Sequence, residues 1–136
     1  MSFLNSPQRD FALLREAGVR IDRALFPLLV GLSAHGALGV AELADWVGRD
    51  YTTVSRQLAK LESLKLVDRG ECDRDRRKRA ARLTSSGEKI VSAITNARRR
   101  LLTKALAKWT ETDRTMFANL SRRFADALIE FAQENA

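Results

Sequence analysis

Six residues within one short stretch, Thr52, Thr53, Ser55, Arg56, Gln57 and Lys60, carry hydroxyl, amide and cationic groups. That is the chemistry that meets base edges and phosphates in a nucleic-acid groove. A second cluster, Arg74, Asp75, Arg76, Arg77 and Lys78, sits in an almost wholly charged segment, Gly70 to Arg79. It has little to gain from packing and much to gain from phosphates. Catalytic chemistry is not expected. The 136 residues include one histidine, His35, and one cysteine, Cys72. These supply neither a structural zinc site nor a disulfide framework. There is no Gly-rich phosphate loop and no nucleophile with an available histidine base, so no enzyme, metal or cofactor is expected.

Charge placement points the same way. The net charge is +7, with +5 falling between residues 49 and 82 and +6 between residues 98 and 123. The first zone coincides with the two clusters. The second, Arg98, Arg99, Arg100 and Lys104 onward, reads as the solvated face of a scaffold helix. The chain starts without a basic region followed by an apolar one, and its longest apolar reach, Ala24 to Ala34, is broken by Pro27, Gly31 and Ser33. A cytoplasmic protein with no membrane partner is expected.

The clusters need elements to hold them. Ser6-Pro7 signals a helix start, and Gly18 and Pro27 divide the following apolar pattern into a helix to about Asp22 and another from about Ala24 to Ala34. Gly39 with Glu42 opens a short helix with Leu43, Trp46 and Val47 inward. Gly48-Arg49-Asp50 is a turn. Asp50 caps the next helix, Tyr51 to about Leu64, which buries Val54, Leu58 and Leu61 and leaves the first polar cluster outside. Leu66 to Arg69 and Ala80 to Leu83 are short antiparallel strands carrying the second cluster between them. Ser85 with Glu88 caps a long helix to about Lys108, and Thr110 with Asp113 caps a last one. In that last helix Phe117, Leu120, Phe124, Leu128 and Phe131 recur at spacings of 3, 4, 4 and 3, nearly a heptad seam that wants a partner helix.

The fold class expected is therefore mainly α with a small β-hairpin, a winged helix-turn-helix flanked by N- and C-terminal helices, which the family resemblance given below makes dimerisation helices. Residues 1–34 form the N-terminal helices, 35–84 the winged DNA-binding region, and 85–136 the long and C-terminal helices, as one structural domain. Within the helix, Thr52, Thr53 and Gln57 suit base edges, while Ser55, Arg56 and Lys60 suit phosphates. In the wing, a two-residue spacing in a strand puts Asp75 and Arg77 on one face, so that the carboxylate orients the guanidinium. Arg74, Arg76, Lys78 and Arg79 are phosphate contacts.

The run AELADWVGRDYTTVSRQLAKLESLKLV, followed by Asp75-Arg76-Arg77, Leu83-Thr84 and Gly87, resembles the MarR (multiple antibiotic resistance regulator) family of winged-helix transcription factors. The resemblance implies a homodimer built through residues such as Phe11, Leu14, Leu120, Phe124, Leu128 and Phe131. It also implies a recognition helix in the major groove of double-stranded DNA, and an Asp-x-Arg element, here Asp75 and Arg77, at the minor groove. Many members of the family answer to a small, often phenolic, effector or to oxidation. An effector cleft between scaffold and winged region follows, with no lining residue assigned. A dimeric repressor at a pseudo-palindromic operator is the function expected. Two departures stand out: Lys65 where the family usually has glycine, and Cys72-Asp73 where Asp-Pro is common. The alternatives are a winged helix that docks a protein, which the basic wing disfavours, and a redox-responsive regulator using Cys72 amid arginines.

Overall fold

The computed structural model describes residues 7–72 and 75–135, with the backbone alone for residues 7 and 71–78. Ser6, the expected first cap, lies outside the described residues. The first helix, α1 (Pro7–Ala17), stops short of Asp22 because Gly18 turns left-handed at φ 68°. Gly18 N–H then donates to the Arg15 carbonyl and Val19 N–H to that of Leu14. This is a Schellman stop, which a residue without Cβ adopts at little steric cost. The next helix, α2 (Phe26–His35), has Pro27 in its first turn. It starts two residues later than expected, since Asp22 accepts the Ala24 N–H through its side chain and the Leu25 N–H through its carbonyl.

A strand absent from the sequence reading follows, β1 (Leu38–Gly39), leading into α3 (Val40–Val47). Glu42 Oε1 accepts the Gly39 N–H at 3.4 Å, as expected for the N-terminal cap. After the Gly48 turn come α4 (Tyr51–Ser63), β2 (Val67–Cys72) and β3 (Asp75–Leu83). The sheet is antiparallel in the order β1-β3-β2, with Leu38 opposite Ala81 and Val67 opposite Leu83. The expected hairpin is thus three-stranded, and its strands run well into the charged segment. Backbone pairing continues there because a ladder does not require apolar side chains; Glu71 stands opposite Arg79 before the register shifts.

Two compact units divide the chain, residues 1–99 and 100–136, the boundary falling inside α5 (Ser85–Ala105). In the first, Leu28 and Leu29 of α2, Leu43 of α3, and Val54, Leu58 and Leu61 of α4 are fully buried, joined by Val67 of β2. Trp46, expected inward, is instead 45% exposed. One edge of its indole covers Gly31, whose missing Cβ leaves the room, and His35 meets the ring edge-on at 5.6 Å.

In the second unit α5 ends at Ala105, before the expected Lys108, and a turn leads to α6 (Glu111–Glu134). Arg114 donates to the Leu106 carbonyl at 2.8 Å and reaches that of Ala107, so a guanidinium satisfies carbonyls freed by the helix end. Thr110 caps α6 and Asp113 returns the bond, as expected. None of the described residues of α6 is buried.

Candidate nucleic-acid interface

The helix α4 is fixed at both ends. At its start Asp50 is extended, and its carboxylate accepts the Thr53 N–H at 2.9 Å and the Thr53 hydroxyl at 2.7 Å. The Thr53 hydroxyl, then the Thr53 N–H, hold the Asp50 carboxyl below its ordinary 3.8, and the Arg56 charge adds to this. At its end Leu66 N–H donates to Leu61 and Lys65 N–H to Glu62. That is the same Schellman geometry as at Gly18, but here Lys65 occupies the left-handed position at φ 60°. The strain, about 1 kcal/mol, is the one expected for a residue with a Cβ.

This exit is clamped by the start of α5. The Thr84 hydroxyl donates to the Lys65 carbonyl at 2.7 Å, and Thr84 N–H donates to Leu66 at 3.1 Å. Gly87 lies so close that a Cβ there would overlap the Leu66 carbonyl oxygen. The cap of α5 is therefore Thr84, whose hydroxyl also accepts the Gly87 N–H, and the expected pairing of Ser85 with Glu88 is replaced. Ser85 is already the first helical residue.

Between the two clamps the faces separate clearly. Val54, Leu58 and Leu61 point inward, and Thr52, Arg56 and Lys60, at spacings of four, form an exposed stripe on the far side. Thr53 and Gln57 are half-buried on one flank and Ser55 on the other. The six residues are thus brought onto one helix but not onto one face. An open cleft of about 350 Å³ runs beside them, lined by Asp22, Leu25, Thr53, Arg56, Gln57 and Lys60.

Sequence reasoning missed Arg49, taken only as a turn residue. One of its nitrogens, Nη1, donates both to the Ala24 carbonyl at 2.7 Å and to Gln57 Oε1 at 2.9 Å. It also missed Tyr51 and Arg69. These two line a cleft of about 400 Å³ with Arg79 and the first turn of α3, and the Arg69 Nε is buried without a partner. An arginine flanking α4 in sequence was the available signal for Arg49; for Arg69 only its place in a strand was.

Arg74 and the side chains of Cys72, Asp75, Arg76, Arg77 and Lys78 lie outside the described residues. The backbone sets Asp75 and Arg77 two apart in β3. Of the residues expected to join two copies, Phe11, Leu120, Phe124, Leu128 and Phe131 are exposed. Leu14 is 6% exposed and already enclosed by its own chain, so it is not offered to a partner. Among the described residues no acidic, cysteine or histidine cluster could hold a metal, and no helix is long and apolar enough to cross a membrane.

Comparison with known proteins adds to this geometry. A family model described as HVO_A0114 matches residues 25–87. An uncharacterized HTH-type transcriptional regulator of Bacillus subtilis, YxaD, is 30% identical over 110 residues, 81% of this chain and 77% of that protein. In fold the chain is similar to a MarR family protein from Bacillus stearothermophilus, with a TM-score of 0.81 at 23% identity over 90% of this chain and 84% of that one. It is also similar to a point mutant of S. aureus MepR bound to an oligodeoxyribonucleotide, with a TM-score of 0.64 at 27% identity over 88% of each chain.

Proposed function

The chain belongs to the MarR family of winged helix-turn-helix transcriptional regulators, and from that premise we propose that it binds a pseudo-palindromic DNA operator as a homodimer. The observation that carries the reading is the stripe Thr52, Arg56 and Lys60 standing opposite the buried stripe of a helix clamped at both ends. A helix so held enters a major groove in one orientation. Thr52, Thr53 and Gln57 then address base edges, and Ser55, Arg56 and Lys60 address phosphates. Arg77, oriented by Asp75, serves the minor groove, while Arg74, Arg76 and Lys78 add phosphate contacts, as do Arg69 and Arg79 from their cleft. The S. aureus relative solved with an oligodeoxyribonucleotide supports DNA as the partner.

The second copy is called for by α6, where Phe117, Leu120, Phe124, Leu128 and Phe131 all face outward on a helix with no buried residue. Packed against their equivalents, with Phe11 contributing, these side chains would leave water. Two recognition helices related by a two-fold axis address half-sites about one helical turn, roughly 34 Å, apart. Occupancy of such a site blocks polymerase where it overlaps a promoter, so the action is repression. We assign effector binding to the cleft of about 480 Å³ lined by Leu32, Ser33, Arg82, Glu88, Val91 and Ser92.

The test is selection of bound duplexes by the purified chain, followed by footprinting. Protection of two half-sites about one turn apart is expected. Arg77→Ala should weaken binding strongly with the fold intact, and loss of a phosphate contact such as Lys78 should flatten the salt dependence by about 0.9 per contact. Capture of a protein partner with no protected duplex would overturn the reading.

A further inference from the structure

We propose that Arg49 is a positioning residue for base reading: it fixes the Gln57 side chain in one pose before DNA arrives, so that the sequence preference exerted by Gln57 depends on Arg49, which reads no base itself. This rests on the DNA-binding reading above and deepens it.

A long side chain that must be stilled on its partner loses rotational freedom worth roughly 2- to 12-fold in affinity. Gln57 is stilled beforehand. Arg49 Nη1 lies 2.9 Å from Gln57 Oε1, and the same nitrogen lies 2.7 Å from the Ala24 carbonyl oxygen. Both hydrogens of that nitrogen are thus engaged, one on the link between α1 and α2 and the other on α4. The link is itself tied, since the Asp22 side chain accepts the Ala24 N–H at 2.9 Å. A guanidinium only donates, so the amide turns its oxygen to Arg49. This settles the pose of Gln57 and not the base it chooses. Oε1 keeps a second lone pair and the NH₂ keeps both hydrogens, so pairing with adenine stays open as well as pairing with guanine or thymine.

The next residue treats Thr53 in the same way. Asp50 accepts the Thr53 hydroxyl at 2.7 Å and the Thr53 N–H at 2.9 Å. Thr53 and Gln57, about one turn apart and half-buried on the same flank, line the open cleft with Arg56 and Lys60. Two adjacent residues of the α3–α4 turn therefore hold two of the residues assigned to base edges, each through bonds made without DNA. The cost of ordering is met during folding, and less is lost on binding. In a non-specific complex Gln57 meets no matching base, so the hold of Arg49 favours the specific complex alone.

The test uses the full-length wild type, Gln57→Ala and Arg49→Ala, with melting curves as the control for folding. Selection from a random duplex pool gives the operator, and the base pair whose preference Gln57→Ala erases is the one Gln57 reads. Affinity is then measured for the operator and for the operator changed at that pair. Arg49→Ala should lower the ratio of the two by roughly 2- to 12-fold, with the preferences at other pairs kept. An unchanged or larger ratio overturns the inference, and so does an equal fall at every pair, which would mark a general slackening of α4. A measurement on the wild type keeps the test decisive if Arg49→Ala does not fold. In the DNA-free protein the Gln57 side-chain amide should be rigid by nuclear spin relaxation, with an order parameter above about 0.6, and a lower value overturns the inference. If Gln57→Ala alters no preference, the inference falls while the operator stands. A wild type that selects no sequence at all removes the DNA-binding reading together with it.

Discussion

The winged unit and the C-terminal unit handle apolar surface in opposite ways. Up to Arg99 the leucines of α2, α3 and α4 close on one another, and Leu28, Leu29, Leu43, Leu58 and Leu61 are fully buried. Beyond Arg100 a helix of 24 residues buries none of its own, and Phe124 is 63% exposed. Both stretches show helical periodicity in sequence, so periodicity alone does not say whether a stripe is covered within its own chain. The difference lies in what stands opposite. The stripe of α4 faces α2, α3 and the sheet, whereas that of α6 stands exposed among the described residues.

Substitutions can break this contrast or sharpen it. The largest effect on stability should come from Leu58→Ala, which leaves a cavity where no part of the residue is exposed. A loss of about 2–5 kcal/mol is expected in denaturant unfolding. Gly87→Ala should follow, at about 1–3 kcal/mol, because its new methyl meets the Leu66 carbonyl, which is fixed backbone. A Gly87→Ala melting curve matching wild type would show the clamp between α4 and α5 to be slack. Lys65→Gly should raise stability by about 1 kcal/mol, by relieving the left-handed lysine at φ 60°. Smallest of all is Phe124→Asp, which should change amide-exchange protection in α4 by no more than about 0.5 kcal/mol while shifting the sedimenting species from dimer to monomer. If protection in α4 collapsed with Phe124→Asp, the two units would have to be regarded as folding together.

Much of this arrangement was legible in the residues. The caps at Gly39, Asp50 and Thr110 were, because a side chain acting three residues along leaves a spacing that can be read. The inward stripe of α4 was legible too, since its three apolar positions are isolated among polar ones. β1 was not: two residues, Leu38 and Gly39, hold no alternation, and they are a strand only because Ala80 and Ala81 stand opposite them. Trp46 was misread for a related reason, as helical phase put it inward while Gly31 on another helix decided how deep it could go. Leu14 shared the apolar pattern of Phe11, yet one is enclosed and the other exposed. For the interface, residue types marked the hydroxyls, the amide and the cations of α4. The bond from Arg49 to Gln57 spans eight positions, and its nitrogen also donates to the carbonyl of Ala24, twenty-five positions away, a tertiary meeting that no local spacing announces.

The indole resting on Gly31 has a practical use. The chain's two tryptophans fall one in each unit, Trp46 against α2 and Trp109 edge-on to Phe117 at 5.4 Å. Each fluoresces from its own surroundings. With Trp109 replaced by phenylalanine, emission would report on the contact between α2 and α3 alone; with Trp46 replaced, on the corner that Arg114 holds. The protein thus carries a separate optical gauge for each of its two ways of treating apolar surface, and no label needs to be attached.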